Sequence, residues 1–221
     1  MSSPVGPEER ERATLVAQLR AVQEDIDRAR ETARRANAGL HLGHTVRRSS
    51  DPVVRGEHVR LPDGAEIVIR PIEPGDRPEL AAGFARLSSL SRFRRFRRSI
   101  EHLTSSQLRE LTEVDHTSHE ALAAFDAAAG AGIGVARFVR SPADPAQAEV
   151  TCTVTDAWQG RGVGSALVER LAARARALGV ERFTMSIVVG NEPARRLLAH
   201  VADELSEHRD GGEIEILAGL D

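Results

Sequence analysis

The sequence contains no tyrosine and no lysine, and only one cysteine among its 221 residues. All 30 basic residues are therefore arginine, which is typical of an Arg- and Ala-rich proteome. Because Cys152 has no second thiol to pair with, an intrachain disulfide is excluded and a reducing cytoplasm is the expected compartment. The lack of lysine also excludes a phosphate-binding P-loop, whose motif requires that residue.

The chain also has little excess charge of either sign and no long apolar run. The formal net charge of −3 argues against a general binder of nucleic acid or membrane surfaces. No apolar run approaches the roughly 18 residues of a membrane span. The N-terminal stretch MSSPVGPEERERATL lacks the basic and apolar regions of a secretory signal. We therefore expect a cytoplasmic protein with one domain of about 150 residues and an extension.

The first 37 residues predict an amphipathic helix. Pro7 suits its first turn, and apolar residues recur at alternating spacings of four and three. This stripe consists of Leu15, Leu19, Val22, Ile26, Ala29 and Ala33. The helix could dock on its own domain or pair with a second copy in a homodimer, and the sequence leaves both open. Residues 38–62 have no clear period and predict a linker, which places the main domain at 63–221.

Within the main domain, hydrophobic periodicity predicts an α/β arrangement. Predicted strands cover residues 65–71, 119–127, 131–140, 148–156, 181–189 and 212–219, and predicted helices cover 74–91, 104–114, 164–179 and 191–201. In the arginine-rich run SRFRRFRRS, Phe93 and Phe96 are predicted to be buried while the arginines stay solvated. The alternative is that these arginines meet an acidic partner or a phosphate group.

Residues 158–165, WQGRGVGS, place three glycines between a β-branched strand and an amphipathic helix. Unpaired N–H groups at such a turn and at a helix N-terminus favour a bound anion. A dinucleotide-binding fingerprint requires Gly-x-Gly-x-x-Gly after the first strand, but position 165 is Ser and the first strand lies about a hundred residues upstream. The stretch therefore predicts an anion site of another type.

Gln159, Gly162 and Gly164 form the pattern Gln-x-x-Gly-x-Gly, which resembles the pyrophosphate-binding motif of the GNAT superfamily of acetyl-CoA-dependent N-acyltransferases. The downstream stretch VVGNEPARRLL resembles the junction of that family's fifth strand and fourth helix. Further stretches are similar to the acyltransferase domain of bacterial protein lysine acetyltransferases: IRPIEPGDRPELAAGFARLSSLSRFRRF, LTEVDHTSHEAL, GVARFVR and AEVTCTVTDAWQGRGVG.

This resemblance implies a GNAT fold, in which a mixed, splayed sheet carries helices on both faces. It implies acetyl-CoA as co-substrate, with the diphosphate on the turn amides and the pantetheine arm along the preceding strand, where a backbone N–H polarises the thioester. Arg161 would add positive charge, and Asn191 would hold the thiol end, cap its helix, or do both. The implied binding residues are Thr153, Val154, Thr155, Gln159, Gly160, Arg161, Gly162, Val163, Gly164, Ser165 and Asn191.

Glu149 resembles the base that the family carries on its fourth strand. A lysine ammonium has a pKa near 10.4, so a base must remove its proton at neutral pH. The plain alternative is a solvated strand glutamate, and His116 is the second candidate base. Many family members protonate the leaving thiolate with a tyrosine, which this chain lacks, but a thiolate leaves with little help.

Metal binding is not expected. The stretches HLGH, residues 41–44, and HTSH, residues 116–119, each space two histidines by three but lack a matching third ligand. Cys152 has no visible base partner and is predicted to pack within its strand. The predicted reaction is transfer of an acetyl or short acyl group from CoA to a primary amine, with a protein lysine first and a small-molecule amine second. A non-catalytic CoA-binding regulator is the alternative from another class.

Overall fold

Strands and helices alternate through the part of the chain that the structure, a computed structural model, describes: residues 55–98 and 100–220. The strands are β1 Glu57–Arg60, β2 Glu66–Pro71, β3 His119–Asp126, β4 Gly132–Arg140, β5 Gln147–Val154, β6 Arg182–Val188, β7 Leu205–Asp210 and β8 Glu213–Gly219. The helices are α1 Arg77–Ala85, α2 Ser89–Phe96, α3 Ser105–Thr112, α4 Val163–Ala177 and α5 Glu192–Ala199. In this part of the chain no helix is both long and apolar enough to cross a membrane.

The strands form one mixed sheet in the order β1-β2-β3-β4-β5-β6-β8-β7. Every neighbouring pair is antiparallel except β5 and β6, which run parallel. This parallel pairing joins only residues 147–149 of β5 to residues 182–184 of β6. Both strands continue beyond that point, so a gap opens between them after Glu149. The predicted splayed sheet is therefore present.

Helices cover both faces of the sheet. Strand residues alternate between the faces, and Ala148 and Val150 of β5 pack with Leu167 and Leu171 of α4 in the main core. Leu198 brings α5 into the same core. On the opposite face α1, α2 and α3 form a smaller apolar cluster, whose buried members are Phe84, Leu87 and Leu103. Burial is thus heaviest on the α4 face, and the α1–α3 face keeps room for a cavity.

Two strands were not predicted. Strand β1 pairs with β2 from Glu57 to Arg60, so the predicted linker at 38–62 is wrong over its last residues. Strand β7 is polar and largely exposed, and its sequence LSEHRD lacks the alternation that marks a half-buried strand. Its pairing with β8 follows from the two-glycine turn at residues 211–212, where Gly211 has φ +56°.

The single helix predicted over residues 74–91 is also wrong, because the chain forms α1 and α2 with a break between them. Ser88 caps α2 by accepting a hydrogen bond from the Ser91 backbone N–H. Within α2, Phe93 is 46% exposed and Phe96 is half-buried, so the predicted burial of both aromatics fails for Phe93. The predicted helix at 1–37, and the homodimer through it, lie outside the described residues.

Candidate active site

Glu149 is the last residue of β5 that pairs with β6, so its side chain stands where the gap begins. Residues in register across a sheet point to the same face. The register row His119, Val139, Glu149 and Thr184 therefore presents all four side chains to the α1–α3 side. Because Glu149 is exposed, its carboxylate is accessible from solvent as a candidate base would need to be.

Beyond Glu149, β5 has a free backbone edge that faces the gap. Thr155 donates its N–H to the Ile133 carbonyl at 2.9 Å, which shows that this residue bonds toward β4. Alternate residues turn their backbone groups to the other side, so Cys152 and Val154 face the gap. Of the predicted residues Thr153, Val154 and Thr155, only Val154 thus offers its backbone there. Cys152 was missed as a backbone partner, although strand alternation could have identified it.

The side chains of Thr153 and Thr155 lie on the α1–α3 face instead. Together with Thr151 they line a cavity of about 80 Å³ under α1, α2 and α3. Two arginine side chains, Arg95 from α2 and Arg137 from β4, reach the same cavity. The candidate site thus has a backbone edge in the gap and, beside it, a mainly apolar cavity that these threonine and arginine side chains reach.

The glycine turn joins the end of β5 to α4. Gly160 and Gly162 have φ values of +73° and +99°, the left-handed region that favours glycine. Gly162 is the N-cap of α4, so the N–H groups of Val163, Gly164 and Ser165 stand in the first turn, where a helix supplies no partner. These amides and the helix dipole together suit an anion.

Gly164 has a different role, since its conformation is helical. A Cβ on Gly164 would meet a methyl carbon of Leu197 at 3.3 Å, so glycine allows α5 to approach α4 closely. Gly164 therefore contributes to packing as well as to the row of amides.

Arg161 is already engaged. Its Nε donates to Asp63 Oδ2 at 2.6 Å, and its guanidinium lies 4.0 Å from the centroid of the Trp158 ring. The hydrogen bond from Arg161 lowers the pKa of the Asp63 carboxyl. The expected added charge at the turn is thus partly neutralised by an ion pair with Asp63 through Nε, while the Nη groups of Arg161 can still donate to another anion.

Gln159 and Asp156 connect the turn to α2. Gln159 donates its side-chain amide to the Val154 carbonyl at 3.0 Å and to Ser91 Oγ at 3.2 Å. The Asp156 carboxylate accepts from the Ser88 N–H and hydroxyl, both at 2.8 Å, and from the Ser91 hydroxyl at 2.9 Å. The N-terminus of α2, the helix that carries Arg95, is therefore held by the turn.

His116 lies on the wrong side of the sheet for a base. Its Nδ1 is 2.8 Å from Glu120 Oε1, and the fully buried Glu120 also accepts from Arg174 Nε at 2.7 Å. Because Glu120 alternates with His119 along β3, this cluster faces α4 rather than the side of Glu149. The geometry therefore contradicts His116 as the second base. His119, from the same HTSH stretch, is the histidine that lies on the face of Glu149.

Asn191 precedes α5, as predicted, but its side chain makes no capping hydrogen bond. Its backbone carbonyl accepts from the Ala194 N–H at 3.1 Å, and its own N–H donates to the Val188 carbonyl at 3.1 Å. The prediction of a side-chain cap is wrong, and the side chain remains available for another contact.

Comparisons with known proteins agree with this geometry. Over residues 66–201 the chain matches the family described as acetyltransferase (GNAT) domain. The chain belongs to the GNAT acetyltransferase family. It is 36% identical over 140 residues to acetyltransferase Pat of Mycolicibacterium smegmatis. The aligned residues cover 63% of this chain and 42% of that protein. This chain therefore spans less than half the length of that relative.

Solved structures show the same GNAT fold. The GNAT domain of S. lividans PAT has a TM-score of 0.67 at 29% identity, over 74% of this chain and 96% of that one. The yncA protein of Salmonella typhimurium, solved with its cofactor acetyl-CoA, has a TM-score of 0.57 at 21% identity, over 70% of this chain and 94% of that one. The predicted family, fold class and enzyme class, an acetyltransferase, are confirmed.

Cys152 has an environment that disfavours a nucleophilic thiolate. Burial raises the pKa of its thiol to about 12, so the thiol stays protonated at neutral pH. The side chain packs against the main core, as predicted. Within residues 55–98 and 100–220, no cluster of three or more His, Cys, Asp or Glu side chains is arranged to hold a metal ion.

The contacts of Asp156 generate a testable prediction. Asp156→Ala leaves the half-buried Ser88 N–H without its acceptor, and we expect the free energy of unfolding to fall by about 1–3 kcal/mol. Hydrogen exchange should accelerate at the amides of α2. Asp210→Ala, at the exposed end of β7, is the control. Unchanged exchange in α2 of the Asp156 variant would contradict the assignment.

Proposed function

We propose that this GNAT domain transfers an acetyl or short acyl group from acyl-CoA to a primary amine, by direct attack of the amine in a ternary complex. The observation that carries the proposal is the position of Glu149. A carboxylate stands at the point where β5 and β6 separate, next to a free backbone edge and on the strand that leads to the amide turn. A base, a place for the acyl donor and an anion site thus follow one another along a single strand.

The donor would lie along this strand and turn. The backbone groups of Cys152 and Val154 would pair with the pantetheine arm, and an N–H of this edge would stabilise negative charge that develops on the thioester oxygen. The amides from Gly160 to Ser165 would hold the diphosphate. When bound, acyl-CoA supplies the activated acyl group, and the protein aligns the amine with it.

Glu149 would act as the general base, directly or through one water. An amine with a pKa near 10.4 is almost fully protonated at neutral pH and cannot attack until it loses a proton. No tyrosine exists in the chain to protonate the leaving thiolate. A thiol is acidic enough, with a pKa near 8.5, that water can supply this proton.

A protein lysine is the acceptor that we propose first. Glu149 is exposed, and its row neighbour Val139 is 46% exposed, so the base is open to a side chain that arrives from solvent. The resemblance of the sequence to bacterial protein lysine acetyltransferases supports the same choice. A small-molecule amine is second. The single cysteine supports the cytoplasm as the proposed location.

The first test is Glu149→Gln. We expect kcat on the best acceptor to fall by about 10²- to 10⁴-fold, because a carboxamide cannot accept the proton, while the Kd for CoA stays unchanged. Thiol release from acetyl-CoA, with lysine proteins and small amines as acceptors, measures the rate. Glu66→Gln, an exposed strand glutamate on β2 that pairs with Arg60, is the matched control.

Two outcomes would oppose the proposal. Equal turnover by Glu149→Gln and the parent chain would show that another group is the base. Binding of CoA without turnover of any acceptor would favour the non-catalytic regulator instead.

The second test is Gly160→Ala. Nothing in the described structure lies within 4 Å of a Cβ at Gly160, so the substitution acts through its positive φ and by placing a methyl group on the open side of the turn. We expect the Kd for CoA to rise at least about fivefold, since the turn amides shift, and the Kd for pantetheine, which lacks the diphosphate, to stay unchanged. Isothermal titration calorimetry measures both.

Gly179→Ala is the control for backbone strain. Gly179 has φ +79° and open space around its Cβ position, but it follows the C-terminal end of α4. Equal losses of CoA affinity in the two variants would mean that general strain, not the turn, is responsible.

A further inference from the structure

Among the described residues, no carboxylate lies within salt-bridge distance of two arginine side chains in the cavity beside Glu149, although Asp76 and Glu79 also line this cavity. Arg137 of β4 is only 7% exposed, and Arg95 of α2 is half-buried at the same cavity. Over residues 55–98 and 100–220, no acidic side chain forms a salt bridge with either guanidinium. Buried charges in proteins are usually paired, so two adjacent unpaired guanidinium groups are unusual.

The contacts of both guanidinium groups are with neutral partners. Arg137 donates to the Leu111 carbonyl at 3.0 Å and lies 3.3 Å from His119 Nε2. Arg95 lies 4.9 Å from the centroid of the Phe96 ring. These contacts hold the side chains in place without a directly bonded carboxylate, and each guanidinium can form further hydrogen bonds.

The charges also act on each other. Burial and the neighbouring Arg95 lower the pKa of Arg137 to about 9, while Glu110 opposes this effect. Burial lowers the pKa of Arg95, and Glu149 and Cys152 oppose this effect. The burial and the Arg137 charge also lower the pKa of His119, so this imidazole adds no positive charge at neutral pH. An anion between the two arginines would relieve a repulsion that the folded protein otherwise carries.

The pair lies on the same face of the sheet as Glu149, the candidate base. Arg137 is in register with Thr151, the next residue after Glu149 on the same face of β5. Two residues along a strand correspond to about 7 Å, so the register places Arg137 at about the distance of a short organic linker from the candidate base. Arg95 is near enough for its charge to interact with Glu149. The turn that would hold the donor's diphosphate lies farther along the chain, after the end of β5 at Val154.

We propose that Arg95 and Arg137 form an anion subsite that binds a carboxylate of the acceptor, adjacent to the amine that is acylated. This inference rests on the proposed function and defines the acceptor class. The carboxylate could be the α-carboxylate of an amino acid or an Asp or Glu side chain near a lysine in a polypeptide. A planar guanidinium matches either one, because it can donate two parallel hydrogen bonds to a carboxylate.

The activity test compares acceptors that differ only in this charge. One pair is glutamic acid and its α-carboxamide, and the other is a lysine peptide with Glu or Gln two residues away. For at least one pair we expect the carboxylate to raise kcat/KM by about tenfold or more. The preference should fall to about twofold or less in Arg95→Gln and in Arg137→Gln. Arg98→Gln, an exposed residue just after α2, should retain it.

The pair of acceptors that shows the preference identifies the source of the carboxylate. If neither pair shows it, or if both arginine variants retain it, the subsite is not there. If the variants instead lower the affinity for CoA and leave the acceptor preference intact, the arginines bind the donor and the inference is overturned.

A binding test is independent of turnover. Thermal unfolding is followed in sodium sulfate and in sodium chloride of equal ionic strength, since an anion that binds the native state raises Tm. Sulfate should raise Tm more in the parent chain and in Arg98→Gln than in Arg95→Gln or Arg137→Gln. Sulfate that binds at the glycine turn shifts Tm equally in all four proteins, so it does not contribute to the difference between them. Equal Tm shifts in the parent chain and in the two arginine variants would refute the subsite. A larger Tm shift in the parent chain, together with no turnover of any acceptor, would refute the proposed function but not the anion site.

Discussion

The separation of β5 from β6 after Glu149 is the constraint on which the candidate site depends. A parallel ladder that continued to Val154 would bury the N–H and C=O groups of Cys152 and Val154 in sheet hydrogen bonds. Because the pairing ends after three residues, these groups remain at an open edge, where the Val154 carbonyl accepts a hydrogen bond from the Gln159 side chain. The turn after β5 then starts α4, and Gly164 lets α5 pack against it, so the helices after both strands stay together while the strands part.

Because side chains alternate along each strand, one face of the sheet packs the main core and the other borders the cavity. On the α4 face, residues such as Phe138 and Val150 are fully buried and supply most of the hydrophobic stabilisation. On the α1–α3 face, mainly apolar side chains line a cavity that the small helices only partly fill, and Arg95 and Arg137 reach into it. Asp156 links the two regions, because its carboxylate fixes α2 at the mouth of the donor turn.

Much of this arrangement follows from local sequence signals. The glycine turn, the hairpin of β3 and β4 and the apolar stripe of α4 were predicted because each depends on residues that are close in sequence. Strand β7 escaped prediction because its partner strand, not its own pattern, determines it. The choice between His116 and His119 depends on register, and the meeting of Arg95 with Arg137 depends on how α2 packs over β4, so neither could be obtained from the sequence alone.

The central claim is that the gap beyond Glu149 holds the acyl donor. A crystal structure of the protein with a bisubstrate analogue, in which CoA is joined to the side chain of a lysine peptide, tests it most directly. The account predicts pantetheine along the edge of Cys152 and Val154, the diphosphate on the amides from Gly160 to Ser165, and the lysine nitrogen within one water of the Glu149 carboxylate. An analogue bound away from the gap, or a lysine nitrogen on the α4 face near His116, would contradict it.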